Sequence, residues 1–280
     1  MSRDSLEFKP SIIKKEDVIQ VLKKTDIQGY LNRMVENGYA LSTIKKQYHL
    51  IGAYLDYAML EGYVQRPVHQ GVRLPSQTAV KKPKREIGSY TRQEQAKLLT
   101  VLKTRERIGY AAAILMMETG MRIGECLAIT WDDILWERRA VSVNKTLIRI
   151  AHKKKMSVQD GAKSYSSNRV VPLSTEAYRL LDTMSQEAAD LTGYVFAGED
   201  DMPISYEAIR YQIKKACEEA GVPYKGQHAF RHTFATNCYN RGADVKILSK
   251  LLGHADVSVT FNVYVHLFGD GLEEMRSVLG

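Results

Sequence analysis

The sequence predicts a mainly α protein in two domains, the second interrupted by one small antiparallel β-sheet. Three observations carry this. Apolar residues recur three to four positions apart along most of the 280 residues, the period of an amphipathic helix. Residues 64–90 break that pattern with Pro67, Pro75, Pro83, Gly71, Gly88 and the run Lys81-Lys-Pro-Lys-Arg85. Against the helical background stand two short β-branched runs, Ala140–Thr146 and Val170–Leu173. The expected division is a helical domain over 1–75, a basic linker over 76–90 and a larger domain over 91–280.

Taken in order, Glu16–Lys23 and Ile27–Asn37 are short amphipathic stretches, the second closed by Gly38. Ser42 precedes a longer helix carrying Ile44, Tyr48, Ile51, Leu55, Ala58 and Met59, stopped by Gly62. Lys45, Lys46 and His49 alternate with that stripe, so one face is basic: either merely solvated or laid against a polyanion. The proline-rich segment then reads as an extended linker. Thr91-Arg-Gln-Glu94 is a capping box, in which hydroxyl and carboxylate each satisfy an orphan amide of a new helix. Helices are predicted at 91–103, 108–119 and 122–129. After the two β-branched runs, joined by a polar basic stretch, helices return at 175–189, 205–220, 228–240, 245–252 and 258–264.

Composition adds bounds. Hydrophobic residues make up 44% and charged residues 26%, as in a soluble globular protein. No apolar run approaches the roughly 18 residues that span a bilayer, and the N-terminus has no signal-type apolar stretch. Cys126, Cys217 and Cys238 are far apart and form no CxxC pair, as expected for reduced, mostly buried thiols in a cytoplasmic protein. The net charge of +8 hints at a polyanionic partner. It is uneven: residues 1–87 hold 15 Lys and Arg against 9 Asp and Glu.

Three segments carry chemistry. In Thr119-Gly-Met-Arg-Ile-Gly-Glu125, a helix ends at the glycine and Arg122 opens the next one. That turn can aim a guanidinium into a cleft, with Glu125 one turn later to orient it; the alternative is a surface arginine. In His228-Ala-Phe-Arg231-His-Thr-Phe-Ala-Thr236, His228 and Arg231 share a helix face. An imidazole beside a planar guanidinium fork suits a phosphate. His228 and His232 also have metal-ligand spacing. However, Ala229 stands where zinc hydrolases place a glutamate, and no third ligand is spaced to join them, so no metal is expected. Finally, Leu251-Leu-Gly is a helix stop that exposes His254, and Tyr264 follows ten residues on.

These segments, together with Val259-Thr-Phe-Asn-Val-Tyr-Val-His266, resemble the tyrosine recombinases: phage and transposon integrases, Xer-type resolvases and Cre-like enzymes. They occur in the family's order over most of 88–266, and residues 12–75 look like its helical core-binding domain, with weaker motifs. The resemblance implies a two-domain clamp on double-stranded DNA, with no cofactor and no metal. It implies that Arg122 and Arg231 hold phosphate oxygens, supported by Glu125. His228 would assist proton movement, His254 would donate to the phosphate, and Tyr264 would attack to give a 3′-phosphotyrosine and a free 5′-hydroxyl. Within Ala162-Lys-Ser-Tyr-Ser-Ser-Asn-Arg-Val-Val-Pro-Leu173, Lys163 falls at the family's general acid. Thr43, Lys45, Lys46, Lys81, Lys82, Lys84 and Arg85 are the candidate DNA-backbone contacts.

Recombination breaks four strands, so a homotetramer on two DNA sites is expected; Val265–Gly280 either joins the subunits or packs on its own domain. Accessory DNA-bending or directionality proteins are further expected partners. The family's separate arm-DNA-binding domain is not seen, so the chain is expected to be a simple recombinase or a trimmed one. The form of its last strand and of its tyrosine segment favours a mobile-element integrase. A Xer-type dimer resolvase, a type IB topoisomerase-like enzyme and a catalytically inactive DNA-binding regulator are the other readings.

Overall fold

The computed structural model describes residues 21–80, 88–150, 156–160, 168–188, 191–198, 202–254, 256–258 and 260. The chain divides into two compact units, Met1–Arg85 and Glu86–Gly280.

In the first unit, α1 (Lys24–Glu36) and α2 (Leu41–Leu60) pack on each other. Ile27, Leu31 and Met34 lie at i, i+4 and i+7, so they share one face and meet Ile44 and Leu55 of α2. Burying each such side chain stabilises the unit by roughly 1.5–3 kcal/mol. Val72 and Val80 close the same core. The Gln28 side chain clips the following segment, accepting from the Arg73 amide at 2.9 Å and donating to its carbonyl at 3.1 Å. α1 begins at Lys24, three residues before the helix expected from Ile27, because Asp26 accepts from the Lys23 amide at 2.8 Å and caps the earlier turn. The Glu16–Lys23 expectation lies largely outside the described residues.

The second unit opens with α3 (Arg92–Arg105). Thr91 accepts from the Glu94 amide and Glu94 accepts from the Thr91 amide, the capping box read from the sequence. α4 (Arg107–Thr119) follows, with Ala111 to Met117 all buried. A helix apolar all round belongs inside a core, and α4 packs against α3, α5 (Ile123–Ala128), α6 (Thr175–Glu187), α7 (Tyr206–Ala220) and α8 (His228–Asn240). α9 (Val245–Leu252) packs on α8 and on the end of the sheet.

The β-structure is small and antiparallel, as expected, and among the described residues it falls into two sheets. β1 (Ile134–Leu135), β2 (Ala140–Val143) and β5 (Arg169–Pro172) form one antiparallel sheet in the order β1-β2-β5, with Val141 opposite Val171. β3 (Lys145–Arg149) and β4 (Met156–Asp160) form a second, with Leu147 opposite Val158. The run 140–146 therefore breaks at Asn144. The cause is Asp133, buried and in need of donors. It accepts from Asn144 Nδ2 at 2.8 Å, Lys145 Nζ at 2.5 Å and the Thr130 amide at 2.8 Å. These bonds turn the chain out of the first sheet. β4 carries no strand signal in the sequence, because Met156-Ser-Val-Gln-Asp160 has little apolar character and follows a lysine run.

Candidate active site

Arg231 sits one turn into α8 and is only 5% exposed. A guanidinium at that depth needs acceptors. Nη1 donates to the Gly120 carbonyl at 2.9 Å and Nη2 to the Leu252 carbonyl at 2.5 Å. Both carbonyls lie at helix C-termini, where carbonyls lack intrahelical partners and the helix end is negative. Gly120 is required by two facts. Its φ of +66° is left-handed, and a Cβ there would lie 2.4 Å from the Phe234 ring. Phe230 and Phe234 face the core, which fixes the rotation of α8 that turns Arg231 toward the site.

Arg122 caps α5. Glu125, 6% exposed, accepts from the Arg122 amide at 2.8 Å and from its Nη1 at 2.7 Å. The same carboxylate takes a second guanidinium: Arg169 Nη2 at 2.8 Å and Nη1 at 3.3 Å. Arg169 Nε donates to the Leu251 carbonyl at 2.6 Å. Burial pushes the Glu125 carboxyl up, but the bonds and charge of Arg169, then of Arg122, outweigh it and hold it down at about 2.

His254 follows α9. Gly253 is left-handed at φ +67°, and the His254 amide returns to the Ser249 carbonyl at 3.1 Å, so the helix closes and the imidazole projects beyond it. Nδ1 pairs with Thr260 Oγ1 at 2.7 Å; when that hydroxyl donates, the ring proton sits on Nε2. Burial, then Arg231, Arg122 and Arg169, lower its pKa to about 4. His228, exposed on the first turn of α8, is lowered by burial of part of its ring, then by Arg231 and Arg122. His254 is thus expected to titrate near pH 4 in the free protein. Stability tied to its neutral form is present above about pH 6.5 and is lost as pH falls toward 4. Nitrogen-15 NMR titration checks this; a transition at 6.5 would mean that the ring is neither buried nor faced by the guanidinium groups.

The structure therefore gathers Arg122, Glu125, His228, Arg231 and His254 within mutual electrostatic reach, with three guanidinium groups against one carboxylate. Such a cluster suits a polyanionic ligand. The sequence motifs contain Arg169 and Thr260 but assign neither a role. Arg169 was findable: residues i and i+2 of a strand share a face, and Val171 faces the core, so an arginine at 169 must be buried and paired. Thr260 had no such signal. Lys163, Tyr264, Lys81, Lys82, Lys84 and Arg85 lie outside the described residues. Thr43, Lys45 and Lys46 lie on the first turns of α2, both lysines exposed. Among the described residues no group of three or more His, Cys, Asp or Glu is placed to hold a metal, and no helix is long and apolar enough to cross a membrane.

Residues 89–269 match the phage integrase family. Among curated proteins, the chain is 29% identical over 240 residues to a tyrosine recombinase XerC-like protein of Caldanaerobacter subterraneus subsp. tengcongensis, covering 78% of this chain and 61% of that one. It is 28% identical over 206 residues to the transposase from transposon Tn916 of Enterococcus faecalis, covering 66% of this chain and 50% of the relative. The chain thus spans half to three fifths of the length of these relatives. Its fold is similar to the Tn1549 transposon integrase solved with a circular intermediate DNA, with a TM-score of 0.74 and 21% identity, covering 94% of this chain and 87% of that one. The chain belongs to the phage integrase family.

Proposed function

We propose that this chain is a site-specific DNA recombinase that cuts and rejoins strands through a 3′-phosphotyrosine, in the service of a mobile element. The observation that carries it is that Arg231, Arg122 and Arg169 all act on His254, while Arg122 and Arg169 share the Glu125 carboxylate. A phosphodiester bound there meets two guanidinium forks and an imidazole aimed at its non-bridging oxygens. Those groups stabilise the charge that grows on the oxygens in the pentacoordinate transition state. Tyr264 Oη attacks phosphorus, the bond to the 5′-oxygen breaks, and Lys163 protonates the leaving oxygen. His228 assists proton movement. Attack by another strand's 5′-hydroxyl reverses these steps and releases the tyrosine, so bond energy is retained and neither metal nor nucleotide is required.

The working assembly in this proposal is a homotetramer on two DNA sites in the cytoplasm, with accessory DNA-bending or directionality proteins. The first unit and the linker lysines would follow the phosphate backbone. The mobile-element reading over a Xer-type one is supported by the Tn916 transposase and the Tn1549 integrase. The test uses a nicked duplex drawn by the protein from a random-sequence pool. A covalent protein–DNA adduct should form in EDTA with a free 5′-hydroxyl; release of DNA with no adduct would overturn the proposal.

Lys163 has a separate expectation. Lys163→Ala should slow cleavage of a normal 5′-oxygen leaving group by about 10²–10⁴-fold, the range of acid–base catalysis. A 5′-bridging phosphorothiolate leaves without a proton, so it should restore the rate. Equal damage on both substrates would remove Lys163 from the role.

A further inference from the structure

We infer that Arg169 is a positioning residue of this site: it fastens Glu125, and through it Arg122, to the end of α9 that presents His254. The inference rests on the recombinase reading. Its basis is one buried side chain reaching three elements. Arg169 opens β5, its side chain is 6% exposed, and its fork meets both oxygens of Glu125 on α5 while Nε meets the Leu251 carbonyl on α9. Both of its terminal nitrogens face Glu125 and its Nε faces Leu251, so Arg169 holds its neighbours together.

Two consequences follow from this geometry. Glu125 divides its negative charge between two guanidinium groups, so Arg122 is less fully neutralised and keeps more attraction for a phosphate. The distance between Arg122 and His254 is also set by one rigid plane. A planar guanidinium can span Glu125 and Leu251 at fixed angles; an ammonium is a single point on a flexible stem and cannot.

The other groups near α5 do not substitute for it. Arg122 acts on Glu125 from the preceding turn, and the buried Cys126 thiol is pushed up by burial and by Glu125. β3 packs on the same helix, but Lys145 is bonded to Asp133 and Arg149 to Glu207. Tyr206 lies against Gly124 and donates to the Leu147 carbonyl.

The test compares Arg169→Met, Arg169→Lys and Glu125→Gln, each checked for folding by circular dichroism. The first readout needs no DNA: carbon-13 NMR titration of the glutamate carboxylates. In Arg169→Met the Glu125 transition should move up by roughly 1–3 pH units, the usual loss on removing an adjacent opposite charge. Arg169→Lys, which keeps the charge, should move it less. The second readout is adduct formation on the nicked duplex selected by the wild type. Both Arg169 variants should lose about 10–100-fold in rate, the usual cost of removing a supporting partner, with duplex affinity kept within about threefold. For Arg169→Met the deficit should deepen as pH falls, because Glu125 then takes up a proton that the wild type refuses. In the Glu125→Gln background that pH dependence should vanish. An unmoved Glu125 transition overturns the inference. So does a rate loss equal at every pH and fully additive with Glu125→Gln, the pattern of general destabilisation. If the wild type forms no adduct but Glu125 moves as expected, the recombinase reading fails and the tether stands.

Discussion

Tyr264→Phe is expected to abolish the covalent protein–DNA adduct while leaving duplex binding within a few-fold of wild type. The substitution removes one oxygen and leaves the ring, so its effect falls on bond formation rather than on packing. A phenol has a pKa near 10 and is a weak nucleophile at neutrality. In the proposed chemistry it is assisted by the guanidinium groups, which favour the charged form as the bond to phosphorus grows. No other group on the chain substitutes for that oxygen if Tyr264 is the nucleophile. Gel shift measures binding and denaturing electrophoresis measures the adduct on the same nicked duplex. An adduct that persists in Tyr264→Phe would mean that another of the 16 tyrosines attacks.

Arg231→Lys is expected to lower the rate of adduct formation by about 10²–10³-fold, the effect of losing a preorganised donor to a developing oxyanion. Charge is conserved, but the fork is not. Arg231 bonds the Gly120 and Leu252 carbonyls at once; a lysine can serve one of them and leaves the other buried and unpaired, which costs about 1–3 kcal/mol. A lower melting temperature should therefore accompany the slow rate, with DNA affinity little changed. Retention of more than a tenth of the wild-type rate would remove Arg231 from contact with the reacting phosphate.

Local signals made much of this legible. The capping box at Thr91 and Glu94, the left-handed stops at Gly120 and Gly253, and the shared face of His228 and Arg231 depend on residues a few positions apart, where helix geometry dictates the outcome. Contacts across the chain were hidden. Asp133 draws Asn144 and Lys145 out of the first sheet because a buried carboxylate must be satisfied, and nothing local to 140–146 announces that need. Arg169 reaches Glu125 across 44 residues and Leu251 across 82, distances over which periodicity carries no information. Glu125 was read as the support of one arginine; that it serves two is a tertiary fact.

The end of α9 has one more consequence. An eight-residue helix is too short to persist alone in water. Here its final carbonyls are closed by Arg169 at Leu251 and by Arg231 at Leu252, and His254 follows directly. The helix end and the arginine–histidine cluster therefore share their anchors. When α9 frays, both forks lose an anchor and the imidazole leaves its place in a single event. In the proposed recombinase, fraying of α9 would leave the site without its imidazole, so stray strand breakage would be limited by the population of the intact helix.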